Sequence, residues 1–282
     1  MKNLSTLGLI VWMAVSTSCQ KGEVLNPIKL TDQTSISTVV HDSTYYVYPD
    51  GYTATNAFMA PITLGVPVYL EAKNDLFSSF LRFVINLNFA STNSILDSHP
   101  QYLSPENVNT INIAVKSELY VTFVSQGASN KNTLAYYTYQ TGKPPVSTSG
   151  GSDNGAMDKI TYIFPNASLT PGNKIKLGIF SPGTSVSFVL ISNGWTGNDV
   201  NITNEKFYSQ DKLNPETTTS LKRHSVMLYD DIDQLFLIGF EDRNRQTGSS
   251  DNDFNDLVFY VSSNVKNSIS NLNVVPVDNS RN

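Results

Sequence analysis

Five carboxylates crowd into the stretch "EDRNRQTGSSDNDFND": Glu241, Asp242, Asp251, Asp253 and Asp256, with Asn252 and Asn255 among them. The chain is otherwise sparing with charge, since only 15% of its 282 residues are charged, against about a quarter in a typical globular domain. Unit charges 4 Å apart repel by about 1 kcal/mol in water and about 4 kcal/mol at an effective dielectric of 20, so carboxylates brought together need a counter-ion or raised pKa values. A hard cation meets that need. Calcium takes six to eight oxygens from carboxylates, amides and backbone carbonyls, and this stretch offers all three.

The element that would gather these groups is a hairpin. Strand-like runs flank them, "LFLIGFE" (235–241) before and "DLVFYVS" (256–262) after. Alternate strand residues face opposite ways, so Glu241 and Asp242 leave the first strand one on each face, and Asp253 and Asp256 stand at the start of the returning strand. Pairing of the two strands closes the loop over its own carboxylates. The stretch is not an EF-hand: Asp251, Asp253 and Asn255 fit its alternating start, but Asp256 stands where Gly is required and Ser262 where a bidentate Glu is required. The plain alternative is a solvated turn whose Asp and Asn side chains cap backbone amides.

The rest of the chain supplies the scaffold. Short runs rich in Val, Ile, Tyr, Phe and Thr occur at 44–49, 61–72, 110–116, 119–125, 133–140, 159–165, 174–180, 186–192 and 225–230, separated by Gly, Pro, Asn and Asp clusters. Many short antiparallel strands at such spacing predict an all-β fold, a jelly-roll-like β-sandwich. One amphipathic helix is predicted near 75–88, with Leu76, Phe80, Phe83 and Leu87 as its apolar stripe behind an Asn74 cap.

The N-terminus, "MKNLSTLGLIVWMAVSTSCQKG", has a basic start at Lys2, an apolar stretch, small residues and then Cys19, the one cysteine in the chain. This reads as a signal peptide over 1–18, too short to stay as a membrane span. Cys19, after the small residues, has the placing of a bacterial lipoprotein cysteine, although Ser16 stands where such signals usually carry Leu. Residues 19–38 would then form a lipid-anchored tether, 39–266 the β-sandwich domain and 267–282 a C-terminal tail. The membrane is thus an expected partner through the lipid anchor, and two or more acyl chains make such attachment stable.

Other chemistry has little to work with. The net charge of −5 and the lack of any Lys/Arg cluster argue against nucleic acid. His41, His99 and His224 fall in no zinc-protease pattern, and the chain has no nucleophile elbow, phosphate loop or dinucleotide fingerprint. Catalysis is therefore not expected. The enzymatic alternative is a glycan-processing one, with Glu241 as acid and Asp253 or Asp256 as its partner. The aromatic tracts "YYVYPDGY" and "YYTY" are either core or platforms for sugar rings. Trp195, after "ISNG" at a strand end, is the aromatic expected to be exposed for ligand binding.

"GFEDRNRQTGSSDNDFNDLVFYV" resembles the signature of a bacterial extracytoplasmic family, the domain of unknown function 4114. Upstream, "NTLAYYTYQTGKPP", "IFPNASL" and "KLGIFSPGTSVSFVLISNGW" resemble LruC-type lipoproteins of the Bacteroidota. The likeness extends over about 71–264. It implies an all-β, calcium-associated module without catalysis, borne on cell-surface and adhesin-like proteins. It also implies an acidic site of Glu241, Asp242, Asp251, Asp253, Asn255 and Asp256. With the lipid anchor, the expected place is the bacterial outer membrane, facing the periplasm or the cell surface, and the expected partner is a surface glycan or another envelope protein.

Overall fold

The computed structural model describes residues 45–91, 93–148, 157 and 159–280. Cys19, the signal peptide and the tether lie outside them. In chain order the regular elements begin with β1 (Tyr46–Val47), α1 (Ser79–Asn88), α2 (Ile95–Ser98) and β2 (Ile111–Ile113). The long strands follow: β3 (Ser117–Ser125), β4 (Thr133–Gln140), β5 (Ile160–Phe164), β6 (Lys174–Phe180) and β7 (Thr184–Ile191). After β8 (Lys206–Tyr208) come β9 (Ser225–Asp230), β10 (Leu235–Phe240) and β11 (Leu257–Ser263), then β12 (Ile269–Ser270) and β13 (Val275–Pro276).

These strands form two sheets, so the molecule is an all-β sandwich as expected. One runs β1-β5-β4-β7-β2-β12 with β8 on the side of β7, and the other runs β13-β9-β10-β11-β3-β6. Most neighbours are antiparallel, but β1 joins β5 and β13 joins β9 in parallel. Between the sheets lies a core that includes Val121, Phe123, Phe188, Phe240 and Phe259.

Each sheet is covered on its other side as well. Over the first, Tyr45 and Phe58 pack with Tyr137, Tyr139, Tyr162 and Tyr208. Over the second, α1 packs Leu81, Val84 and Ile85 against residues such as Leu228, Leu237 and Val258. Two-sided burial explains why β10 is apolar throughout, with all six residues buried, where a half-exposed strand would alternate.

Several expectations are corrected. The 61–72 run is not a strand: a 3-10 turn occupies Ile62–Leu64 and a single bridge joins Phe58 to Pro67. Pro61, Gly65 and Pro67 interrupt any ladder there. The helix starts later than predicted, at Ser79, because Ser78 Oγ accepts the Leu81 N–H at 3.0 Å and caps it. Its buried stripe is Leu81, Val84, Ile85 and Asn88, whereas Leu76 precedes the helix and is 89% exposed. The polar member, Asn88, hides that stripe from a hydrophobicity reading, and its amide donates to Val84 O and Asp278 O at 2.8 Å each. The 267–282 segment, set apart as a tail, contributes β12 to one sheet and β13 to the other.

Candidate metal centre

The β10–β11 hairpin is present, in the register Phe240↔Leu257, so residues 241–256 form the connecting loop. Its middle is a 3-10 turn, Arg245–Thr247, whose Asn244 side chain accepts the Gln246 N–H at 3.0 Å. The returning limb crosses the second sheet at Gly239, where a Cβ would stand 2.2 Å from the Phe254 carbonyl oxygen and 2.5 Å from the Phe89 ring. Only a residue without a side chain lets the loop approach so closely.

Phe254 is the loop's anchor. It is fully buried in the cluster beneath α1, yet it holds a positive φ of 55°, as does Asn252 at 61°. Asn tolerates this region, whereas for Phe it is strained backbone. The strain is held by burial of the ring and by a bond from Phe254 N–H to Glu241 Oε1 at 2.7 Å. Arg245, also buried, seals the other side: its guanidinium lies 5.3 Å from the Phe254 ring, and Nε donates to Asn252 Oδ1 at 2.7 Å.

This backbone path carries three of the six expected residues to one point. Glu241, Asp251 and Asp253 each offer an oxygen, and these atoms all lie within 4.8 Å of one another. Glu241 and Asp253 are buried and Asp251 is exposed. Ser250 Oγ donates to Glu241 Oε2, while Asn255 donates to Asp253 through its backbone N–H at 3.0 Å and its Nδ2 at 2.6 Å. The other expected residues stand apart. Asn255 supports Asp253. Asp242 turns to the β3–β4 loop, accepting from Asn130 Nδ2 and Asn132 Nδ2, and Asp256 Oδ2 accepts the Asp242 N–H at 2.8 Å.

Sequence reasoning missed Ser250, Arg245, Asn130 and Asn132. Ser250 was within sight, one residue before Asp251, whereas the two asparagines lie more than a hundred residues away along the chain. Behind the loop, buried Glu216 and His224 pair at 2.7 Å. Burial opposes the charge on Glu216, but the hydrogen bond and charge of His224 together with backbone N–H bonds outweigh it and hold the carboxyl below its ordinary range.

The electrostatics of the loop are those of negative charge kept from water. Burial pushes Glu241 up to about 7, against the bonds from Ser250 and Phe254, and Asp251 and Asp253 add to the rise. Burial also raises Asp253 and, with Asp242 beside it, Asp256. In chelator-treated protein the sign follows directly. Below the ordinary value of 4.5 the Glu241 carboxyl is protonated folded or unfolded, and between 4.5 and about 7 only the unfolded chain ionises freely. Stability is therefore lost as pH rises through that window. Asp75 and Glu216, held low, lose their contribution only on acidification below it. Metal-free protein should melt higher near pH 5 than near pH 8, and equal melting temperatures would contradict the burial of Glu241.

Trp195 is a correction. It is 3% exposed, packs edge-on against Phe58 with centroids 4.7 Å apart, and its ring lies against Gly65. The 57–69 segment folds over it, so it presents no platform to a ligand. Tyr137 and Tyr139 are likewise core. No helix among the described residues is long and apolar enough to cross a membrane.

No curated protein and no solved structure matches the chain. A family model does match, over a shorter stretch than the 71–264 likeness, running from the end of β6 through β11 and taking in the whole acidic loop: residues 180–264 are similar to the Domain of unknown function (DUF4114).

Proposed function

We propose that the β10–β11 loop binds one calcium ion through Glu241, Asp251 and Asp253, and that the ion holds the loop closed. The observation that carries this reading is the convergence of three carboxylate oxygens within 4.8 Å, two of them on buried residues. Oxygens bound to one calcium at 2.3–2.6 Å can stand at most about 5 Å apart, so the spacing fits a shared ion. The donor set fits too: it is all oxygen, which suits calcium, and the exposed Asp251 leaves a route for entry and for water ligands. Magnesium, with its strict octahedron at 2.0–2.1 Å, suits this loop less well.

Calorimetric titration of the chelator-stripped chain tests the reading. Calcium should bind with clear preference over magnesium, and Asp251→Asn should weaken it at least tenfold. Equal heats in wild type and variant would remove this site from consideration.

The wider reading is a lipid-anchored module of the bacterial outer membrane, binding a surface glycan or another envelope protein. It rests on the sequence about Cys19 and on the family resemblance. Cys19→Ser should move the protein out of the membrane fraction and abolish acyl labelling, and continued sedimentation with membranes would show another anchor. Binding is favoured over glycoside hydrolysis because three carboxylates gather about one point, where a glycosidase sets two on opposite sides of the scissile bond.

A further inference from the structure

Residues 51–70 include no charged side chain, the nearest on either side being Asp50 and Glu71. Within this stretch the bridge between Phe58 and Pro67 closes a loop, and at its tip residues 59–64 are exposed one after another. All but Thr63 are apolar. Met59 is 47% exposed and Leu64 54%, with Ile62 between them and Val68 on the returning limb also exposed. Elsewhere among the described residues, large exposed apolar side chains stand singly along the chain, as they do on any protein surface.

The tip is firmly built. Met59 N–H donates to Val66 O and Val68 N–H to Ala57 O, each at 2.9 Å. The carbonyls of the turn are all taken: Pro61 O accepts from Leu64 N–H at 3.0 Å and Ile62 O from Gly65 N–H at 2.9 Å, while Thr63 O accepts from Trp195 Nε1 at 3.4 Å and Leu64 O from Asn166 Nδ2 at 2.6 Å. Gly65, at a φ of 60°, brings the turn against those two buried side chains, where a Cβ would stand 2.6 Å from Asn166 and 2.8 Å from Trp195. A fixed backbone thus holds Met59, Ile62 and Leu64 in water. Carbonyls that already have donors lose little on leaving water, whereas the apolar side chains gain. Protein interfaces carry polar and charged rims, so a stretch without any charge suits the boundary between lipid headgroups and acyl chains better.

The path of the chain agrees. Tyr45, the first described residue, packs in the same cluster as Phe58, so the chain enters the fold through the residues that support this loop. Fully extended, residues 19–45 span at most about 90 Å. We infer that the 59–64 tip docks on a lipid surface, with Met59, Ile62 and Leu64 seated among the acyl chains. The inference rests on the reading of a lipid-anchored module, since an anchor at Cys19 supplies the nearby membrane that so small an apolar area could not capture alone. Three side chains hold more weakly than one acyl chain, itself marginal, so Cys19→Ser still leaves the membrane fraction.

Fluorescence of the full chain carrying Cys19→Ser tests it. With the one native thiol gone, Thr63→Cys places a single environment-sensitive dye at the tip, and Lys266→Cys places it at an exposed residue after β11 as the control. Vesicles of phosphatidylethanolamine and phosphatidylglycerol, at millimolar lipid, should shift the tip dye to the blue and leave the control unmoved. Adding Ile62→Ser and Leu64→Ser should move the half-point to about tenfold more lipid, the loss expected when a large apolar side chain is no longer buried. A tip dye that vesicles do not shift overturns the inference, which is the result if only residues 1–18 touch lipid. So does one that shifts alike with both serines present. A shift that follows protein concentration without vesicles, together with a dimer in sedimentation velocity, makes the tip an interface between two copies and overturns it too. Acyl labelling of the wild type judges the anchor separately: no label but a shifted tip dye would sink the anchor and leave the lipid contact standing.

Discussion

Chelation should lower the melting temperature by roughly 5–10 °C relative to protein in excess calcium. A ligand that binds only the folded chain at one hundred times its Kd adds about 2.7 kcal/mol, and 1 kcal/mol moves the midpoint by about 2–4 °C in a domain of this size. Removing the ion leaves buried Glu241 and Asp253 beside Asp251 to repel one another. Asp251→Asn is the informative variant because it is the exposed member of the group, so its loss disturbs packing least. Its melting temperature should rise with calcium by half as much as the wild type's, or less. Asp50→Asn is the control: Asp50 is 98% exposed in a surface pair with Lys159, and such pairs contribute little. Identical curves for wild-type protein in calcium, magnesium and chelator would reduce the loop to a solvated turn.

Gly239→Ala should destabilise the protein by about 3 kcal/mol, at the upper end of what overpacking usually costs. The new methyl would meet the Phe254 carbonyl oxygen at 2.2 Å and two atoms of the Phe89 ring at 2.5 and 2.8 Å. Both obstacles are firmly held. The carbonyl belongs to a residue whose N–H is fixed on Glu241, and the ring follows the last turn of α1. Relief therefore requires the loop to lift, which separates Glu241 from Asp251 and Asp253. Urea denaturation with and without calcium should show both a loss of stability and a weakened calcium response. A variant that unfolds like the wild type would mean that the loop does not lie as close to the sheet as Phe254 places it.

The long strands were readable from sequence because each is a dense apolar run bounded by turn residues, as in β3, β4, β7 and β10. The short ones were not: β8, β12 and β13 have two or three residues, too few to show a period. Pairing with distant strands is what makes them strands at all. The misread stripe of α1 has the same origin, since buried Asn88 is satisfied in large part by distant groups: Tyr102, whose hydroxyl donates to it at 2.6 Å, and Asp278. At the site, the local part was legible: Glu241, Asp251 and Asp253 lie within one hairpin, and strand alternation alone separates Glu241 from Asp242. What could not be read was the destination of Asp242, because Asn130 and Asn132 arrive from the β3–β4 loop. Trp195 was misplaced because its exposure depends on a segment folding back from residues 57–69.

The placing of β12 and β13 bears on the order of events as the chain is made. β12 adds to β2 in one sheet, and a few residues later β13 adds to β9 in the other, with Val277 N–H closing on Tyr229 O at 3.0 Å. Asp278 then bonds Asn88 and thereby ties α1 to the second sheet. While residues 269–278 are still being synthesised, each sheet lacks an edge strand and α1 lacks its bonds to Asp278. The β10–β11 ladder, in contrast, pairs residues of one continuous stretch, the kind of local contact that costs least loop entropy to close. The acidic loop's own ladder thus closes over a short stretch of chain, whereas both sheet edges and the tie from α1 wait on residues 269–278.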